Sequence, residues 1–315
     1  MRNVIILPWL EVENANAVAG LTWGFPSITH FLGYTHALSR KLELSHGLRL
    51  NGCGVVCHRH QAHAYSSGRD YQFALTRNPL TREGKTASFN EEGRMHLTVS
   101  LVLECHGEIA NGDNGLRELA AHLQILCQSQ KLAGGTITRL RNVQVCSTSN
   151  FKNHRYSLMP GFALQDRSPW LEEHYQLLKQ SHPTVEMIDA WLDFAALKMV
   201  AKKDEQSEDD AEWTYQAKPQ PGYLVPLMTG WQRISPLYEP GSVANARDGD
   251  SPFCFAEAVY GIGEWSGVHR IKEADDLFWR YHTTATGYYC RGQAANDEDL
   301  PDDGLANDSD YFDIF

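Results

Sequence analysis

The 315-residue sequence is long enough for one large domain or two modest ones, each with an apolar core of its own. It is 42% hydrophobic, and none of its apolar runs approaches the roughly 18 residues of a membrane span, so we expect no membrane contact. The formal net charge of −11, taken alone, argues against a nucleic-acid partner.

The first predicted elements are a strand at about 3–12 and a helix at about 27–43, joined by an elaborate turn. Apolar, β-branched residues indicate the strand, and apolar residues at helical spacing indicate the helix. Trp23 and Phe25 stand in the turn just before the helix, whose free N–H groups favour an anion. Two interpretations stay open. The rings either fold back as a hydrophobic lid or face a ligand.

Four further elements follow in the first half. Strands are predicted at about 50–65 and 94–104, a helix at about 114–130, and a fourth strand from residue 136 to about 145. This order predicts an α+β, ferredoxin-like (RRM-like) βαββαβ core over residues 1–148, a fold that often binds RNA. The third strand carries no stacking aromatics, so we expect RNA to avoid the usual open sheet face.

Residues 66–92 connect the second and third strands and are far longer than a hairpin requires. The sequence therefore predicts either an arm that reaches a partner or a disordered loop. Aromatic residues alternate there with four cations, which make the segment a candidate RNA contact: Arg69, Arg77, Arg82 and Lys85.

Charge is distributed unevenly along the chain. Leu119 to Gln165 contains no acidic residue, whereas residues 297–313 contain eight acids and no base. The acid-free segment is a candidate anion-binding surface. Its candidate contacts are Lys131, Arg139, Arg141, Lys152, His154 and Arg155. Gly134 and Gly135 follow the second helix, where they either cap it or let a phosphate approach the backbone closely.

The second half, residues 149–291, is less regular. Helical patterns cover about 169–182 and 184–200, and an acidic run at 204–212 indicates a linker. An aromatic region rich in glycine and proline follows. The acidic tail, residues 292–315, is predicted to be disordered.

Other chemistry finds weaker support. Cys53, Cys57 and the histidines at 58, 60 and 63 suggest a metal, but two cysteines four residues apart on a strand lie about 13 Å apart and cannot share one zinc. We expect no metal and no cofactor. Seven scattered cysteines suit a reducing cytoplasm, where we expect the protein.

An enzyme remains an alternative. His30, His36 or His154 can act as a general acid or base in a metal-independent endoribonuclease that processes repeat RNA. No second catalytic group stands at a diagnostic spacing, so we predict no catalytic residues. A protein-only scaffold, whose basic stretch meets an acidic partner, is a third possibility.

Five separated strings, in order between residues 3 and 291, resemble the second Csy protein of type I-F CRISPR systems. They are Leu21–Gly33, Lys131–Ile137, Leu158–Leu164, Gly241–Asp248 and Glu257–Trp265. The resemblance implies a non-catalytic, RNA-binding subunit of a Cascade-like surveillance complex in antiviral defence, related to the fifth Cas protein family. It also implies that the chain holds the 5′ handle of the crRNA with the large subunit, the first Csy protein.

The resemblance further suggests roles for particular residues. Arg139, Arg141, Gly134 and Gly135 are expected on the handle backbone, with Lys152, His154 and Arg155 extending that surface and Trp23 and Phe25 forming one wall. The arm resembles a thumb that meets RNA or the neighbouring backbone subunit, the third Csy protein. Target DNA near the PAM-proximal end is a further candidate partner. Three more residues are offered as RNA contacts: Ser242, Asn245 and Arg247.

Overall fold

The computed structural model describes residues 2–202, 212–246 and 248–292. Most of the predicted acidic linker, Arg247 and nearly all of the predicted tail lie outside these residues. The fold is mixed α/β and consists mainly of antiparallel sheet with helices packed on it. No helix in the described part of the chain is both long and apolar enough to cross a membrane.

The first half contains the predicted elements in the predicted order, with short hairpins added. Its elements are β1 (Arg2–Asn16), β2 (Val18–Ala19), β3 (Thr22–Trp23), α1 (Ile28–His46), β4 (Arg49–Ala62), β5 (Ala64–Ser67), β6 (Asp70–Phe73), β7 (Leu75–Arg77), β8 (Phe89–Glu91), β9 (Arg94–His106), α2 (Gly112–Gln128), β10 (Lys131–Leu132), β11 (Gly135–Arg139) and β12 (Gln144–Ser147).

The second half adds short helices and the remaining strands. Its elements are α3 (Phe151–His154), β13 (Phe162–Asp166), α4 (Ser168–Ser181), α5 (Met187–Ala195), β14 (Met199–Lys202), β15 (Glu212–Tyr215), β16 (Leu224–Arg233), β17 (Ala256–Gly267), β18 (Arg280–Thr284) and β19 (Gly287–Arg291). The helix predicted over 184–200 is therefore shorter than expected, because the chain turns into the β14–β15 hairpin.

One eleven-stranded sheet runs through both halves. Its order is β10-β11-β1-β9-β4-β13-β17-β16-β19-β18, and β12 pairs with β1 beyond the end of β11. The predicted fourth strand is thus broken in two. Between its pieces, the Arg141 N–H donates to the carbonyl of Pro8, where β1 bulges before Leu10. The predicted boundary near residue 148 stays a prediction.

The sheet of the first half is covered on both faces. Helices α1 and α2 pack on one face, where Phe31 and Leu38 meet Ile5 and Val55 among many others. The opposite face is covered by the chain itself, through segments 146–158 and 268–278. Burial on both sides explains why these strands are almost continuously apolar. It also explains the absence of stacking aromatics on β9, since that face is filled by protein.

The second half also covers the outer edge of β4. Strand β13 pairs with Val56 and Cys57, and the backbone of Trp279 exchanges two hydrogen bonds with Cys53, at 2.9 and 3.0 Å. Trp279 is buried, and its indole N–H donates to the Leu164 carbonyl at 2.8 Å. An edge strand that would otherwise expose unpaired backbone groups is therefore paired within the chain.

Close approach of these segments depends on two glycines of β4. A Cβ atom at Gly54 would lie 2.7 Å from the Leu277 Cβ, and one at Gly52 would lie 2.9 Å from a Glu104 carboxylate oxygen. Beside them, the buried Glu104 carboxylate forms an ion pair with the Arg2 guanidinium at 2.8 Å and accepts a hydrogen bond from Arg280 at 2.7 Å. This ionic cluster joins the first strand of the chain to β18.

We predict that Gly54→Ala destabilises the protein by about 1–3 kcal/mol, because the added methyl group cannot fit against Leu277 without moving the backbone. The midpoint of urea unfolding measures this change. Gly33→Ala is the matched control, since no described residue lies within 4 Å of its added Cβ and alanine favours the interior of α1. Equal stability of the wild type and Gly54→Ala would show that the crossing segment is loosely packed.

We also predict that Glu104→Gln costs about 3 kcal/mol at neutral pH, because two arginines lose their buried counter-charge. Burial acts to raise the pKa of Glu104, but hydrogen bonds and charge from Arg280 and Arg2 outweigh it and lower the pKa. The stabilisation is therefore complete above the ordinary value of 4.5 and is lost as the pH falls through the lowered folded pKa. Unfolding midpoints of the two proteins should converge over that acidic range. A constant difference would contradict the assignment.

Candidate nucleic-acid interface

The turn that precedes α1, called the opening turn below, carries two aromatic rings that contact different neighbours. Phe25 is half-buried and packs against Phe31 and Trp265, with ring centroids 5.7 and 4.9 Å apart. Trp23 is 49% exposed and meets the arm, with its ring 5.3 Å from that of Phe73. Phe25 therefore acts as the hydrophobic lid, and Trp23 joins the helix start to the arm.

The arm, residues 66–92, lies in two short antiparallel ladders, β5–β6 and β7–β8. It exposes large apolar side chains, including Tyr71 and Phe89, and the Arg77 guanidinium lies 4.3 Å from the Phe89 ring centroid. Within the described residues, none of its four candidate cations lies within 4.0 Å of a carboxylate. Exposed aromatics beside such cations suit contact with single-stranded nucleic acid.

The acid-free segment is not acid-free in space. Strand pairing places Glu11 of β1 opposite Arg139, and their charged groups are 3.7 Å apart. The Lys152 ammonium lies 3.0 Å from Glu273. A surface inferred from sequence charge is thus partly neutralised by residues from distant segments.

Two neighbours of Lys152 are held by other protein groups. Arg155 donates to the carbonyl of Ile271. The Nδ1 atom of His154 lies 2.9 Å from the Gln144 side-chain oxygen. Arg155 therefore helps to attach the second half, in addition to any role at the surface.

The glycine pair is part of a hairpin and not a helix cap. Helix α2 ends at Gln128, and Ala133 and Gly134, with φ of 50° and 74°, form the turn between β10 and β11. Gly135 is buried, and a Cβ there would lie 2.7 Å from the Glu13 carbonyl oxygen. The glycine at 135 therefore permits close strand pairing. Gly134 and Lys131 are exposed.

Arg141 belongs to a cluster that the sequence did not reveal. Its guanidinium lies over the Trp9 ring, 4.2 Å from the ring centroid, and the Trp9 ring also stacks on His58, with ring centroids 4.0 Å apart and an interplanar angle of 10°. The Arg141 side chain is exposed, and no described carboxylate lies within 4.0 Å of it. Trp9 has a positive φ of 55°, a conformation that the sequence does not predict for a tryptophan.

An apolar groove of about 520 Å³ lies between the opening turn and the second half. Its walls include Trp23, Phe25 and Trp265, together with Phe162 and Tyr223, which are largely exposed. Phe162 belongs to one of the five strings, but only the fold places it beside the turn.

Other candidates from the sequence are less informative. Ser242 donates to the Glu239 carbonyl at 2.6 Å, and Asn245 has a φ of 60°. The described residues contain no group of three or more His, Cys, Asp or Glu that could hold a metal. Burial raises the pKa of the Cys53 and Cys57 thiols to about 12 and about 11.

Two of the histidines that are candidate general acids or bases, His30 and His36, lie in partly buried protein surroundings. His30 lies 2.9 Å from the Ser27 hydroxyl, and burial lowers its pKa. Burial, assisted by Arg40, lowers the pKa of His36. Both rings are biased toward the neutral form by their surroundings.

Comparison with known proteins gives two consistent similarities. The family model described as CRISPR-associated protein (Cas_Csy2) matches residues 5–290. A protein of Pseudomonas aeruginosa (strain UCBPP-PA14), named CRISPR-associated protein Csy2, is 39% identical over 301 residues, which cover 89% of this chain and 91% of that protein. Both matches span the two halves of the fold.

We predict that Phe25→Ala lowers stability by about 2 kcal/mol, because it removes packing between Phe31 and Trp265. Trp23→Ala should change the global unfolding midpoint much less and should instead increase proteolysis within the arm. Thermal unfolding and limited proteolysis, run on both variants, measure these two effects. The reverse pattern would assign the lid to Trp23.

Proposed function

Because the chain belongs to the Csy2 family of CRISPR-associated proteins, we propose that it is a non-catalytic, RNA-binding subunit of a type I-F surveillance complex. In this proposal it holds the 5′ handle of the crRNA together with the large subunit and supports recognition of target DNA in antiviral defence. The observation that carries the proposal is the family match over residues 5–290, which includes all five strings that prompted the resemblance. That resemblance is confirmed at the level of the family.

The arrangement of the first half supports a ferredoxin-like assignment. Strands β1 and β9 lie at the centre, flanked by β4 on one side and by β11 and β12 on the other, and both crossing helices pack on one face. Because the opposite face is covered by segments 146–158 and 268–278, RNA would bind at strand ends and at the arm. This location differs from that of an ordinary RNA-recognition module.

Two neighbouring features support an RNA site at that end of the sheet. The arm presents exposed aromatics and cations without carboxylate partners among the described residues. Its base adjoins the β10–β11 hairpin, since Arg94 donates to Asn14 at 3.4 Å and lies beside Gly134. Lys131 and Arg141 would extend the path. Arg139 and Lys152 would contribute less, because exposed ion pairs already occupy them.

Protein partners would occupy other surfaces. The β14–β15 hairpin and the chain before it expose Leu197, Trp213 and Tyr215, which are 79, 64 and 72% exposed. We propose that the large subunit covers this apolar surface in the second half.

The arm would meet the third Csy protein where handle becomes spacer. Contacts by His154, Arg155, Ser242, Asn245 and Arg247 remain predictions.

The endoribonuclease alternative has less support. His30 and His154 are each hydrogen-bonded to neighbouring polar side chains and lie in different parts of the fold. Incubating the purified protein with repeat RNA in the absence of metal decides the matter. A discrete product that disappears in a histidine variant would establish the nuclease.

We predict that the chain, co-purified with its neighbouring subunits, carries a defined short RNA that sequencing identifies as crRNA.

Arg82→Ala/Lys85→Ala should weaken binding of handle RNA and lower the salt slope by about 0.7 for each phosphate contact removed. Lys41→Ala/Arg117→Ala is the matched control, because it removes the same charges from exposed positions on α1 and α2. Equal slopes for both variants would exclude the arm. Absence of RNA from the wild-type complex would overturn the proposed function.

A further inference from the structure

Trp9 is held in an unusual conformation at the bulge of β1. Its φ is 55°, a strained region that bulky side chains rarely adopt. The backbone N–H donates to Ser100 Oγ at 2.9 Å, and the indole N–H donates to the Ser157 carbonyl at 2.9 Å. Both donors are satisfied by protein, so the ring is fixed in place next to Arg141.

His58 stacks on the indole, with ring centroids 4.0 Å apart. Its Nδ1 lies 2.7 Å from the Pro160 carbonyl, which can only accept, so Nδ1 carries the proton. Its Nε2 lies 2.6 Å from Ser100 Oγ and accepts from that hydroxyl. Burial, and then the charge of Arg141, lower the pKa of His58. A neutral imidazole therefore lies beneath the indole.

Arg141 lies over the Trp9 ring at the surface of the fold, with its guanidinium carbon 4.2 Å from the ring centroid. The indole attracts this guanidinium through a cation–π contact. Its backbone is fixed by the hydrogen bond from the Arg141 N–H to the Pro8 carbonyl at 3.2 Å. The side chain itself stays exposed, so the face away from Trp9 is open to solvent.

We propose that the Trp9–Arg141 stack is a subsite for one unpaired nucleobase, which packs on the outer face of the guanidinium. Guanidinium planes and aromatic rings are the usual platforms for splayed bases in single-stranded RNA. A phosphate contact alone would need only charge, which Arg139 also supplies, with no aromatic ring beneath it in the part of the chain that the structure describes. If Arg141 provided only a positive charge, there would be no need to hold Trp9 beside it at a strained φ with both of its N–H groups hydrogen-bonded. This inference rests on the proposed RNA-binding function.

The test compares charge with planarity. Arg141→Lys keeps the charge and removes the planar group, so it should lower affinity for handle RNA about tenfold while leaving the salt slope unchanged. The probe is single-stranded RNA of the repeat-derived 5′ end, intact or with one abasic ribose at each position in turn. One abasic position should weaken binding to the wild type by a similar factor and should have no further effect on Arg141→Lys.

Arg117→Lys is the matched control, because it makes the same change at an exposed arginine of α2, outside the proposed RNA path and without a stacked ring among the described residues, and it should bind like the wild type. Trp9→Leu removes the platform and should behave like Arg141→Lys. Its fold is checked by thermal unfolding, and Arg141→Lys keeps the test valid if Trp9→Leu unfolds. Wild-type affinity for Arg141→Lys would overturn the base subsite alone. No RNA binding by the wild type would overturn the proposed function as well.

Discussion

The structure depends on how the second half closes the outer edge of β4. The segment around Trp279 crosses that edge by backbone hydrogen bonds to Cys53, and β13 continues the sheet beside it. Only glycine at 52 and 54 leaves space for the crossing. The Glu104 cluster then ties β18 to the first strand. Without this closure, β4 would expose an unpaired edge, and one face of the sheet would lose its cover.

The closure determines which surfaces are free for function. Helices cover one face of the first sheet, and segments 146–158 and 268–278 cover the other. What remains is the rim: the arm, the β10–β11 hairpin and the exposed side chain of Arg141. In the proposed function, single-stranded RNA binds at this rim, while the covered faces of the sheet provide stability. The apolar groove behind the opening turn and the exposed β14–β15 hairpin leave further surfaces for partners.

Charge illustrates why the candidate site was only partly predictable. The acid-free segment contains the candidate RNA-binding cations. Antiparallel pairing nevertheless brings Glu11 to Arg139, and a later segment of the chain brings Glu273 to Lys152. The opening turn is a second case. The sequence left lid and ligand contact open for both rings, and packing assigned Phe25 to the core and Trp23 to the arm.

The sequence by itself determined the order of strands and helices in the first half, because the spacing of apolar residues within a short stretch of chain predicts each element. It also determined the family, because five separated strings of the family occur in order along the chain. Tertiary structure decided the rest. The break in the fourth strand, the positive φ of Trp9 and the stack beneath Arg141 arise where β1 bulges against distant partners. Such features depend on contacts between residues far apart in the chain, and no local pattern of residues encodes which side chains pairing will bring together.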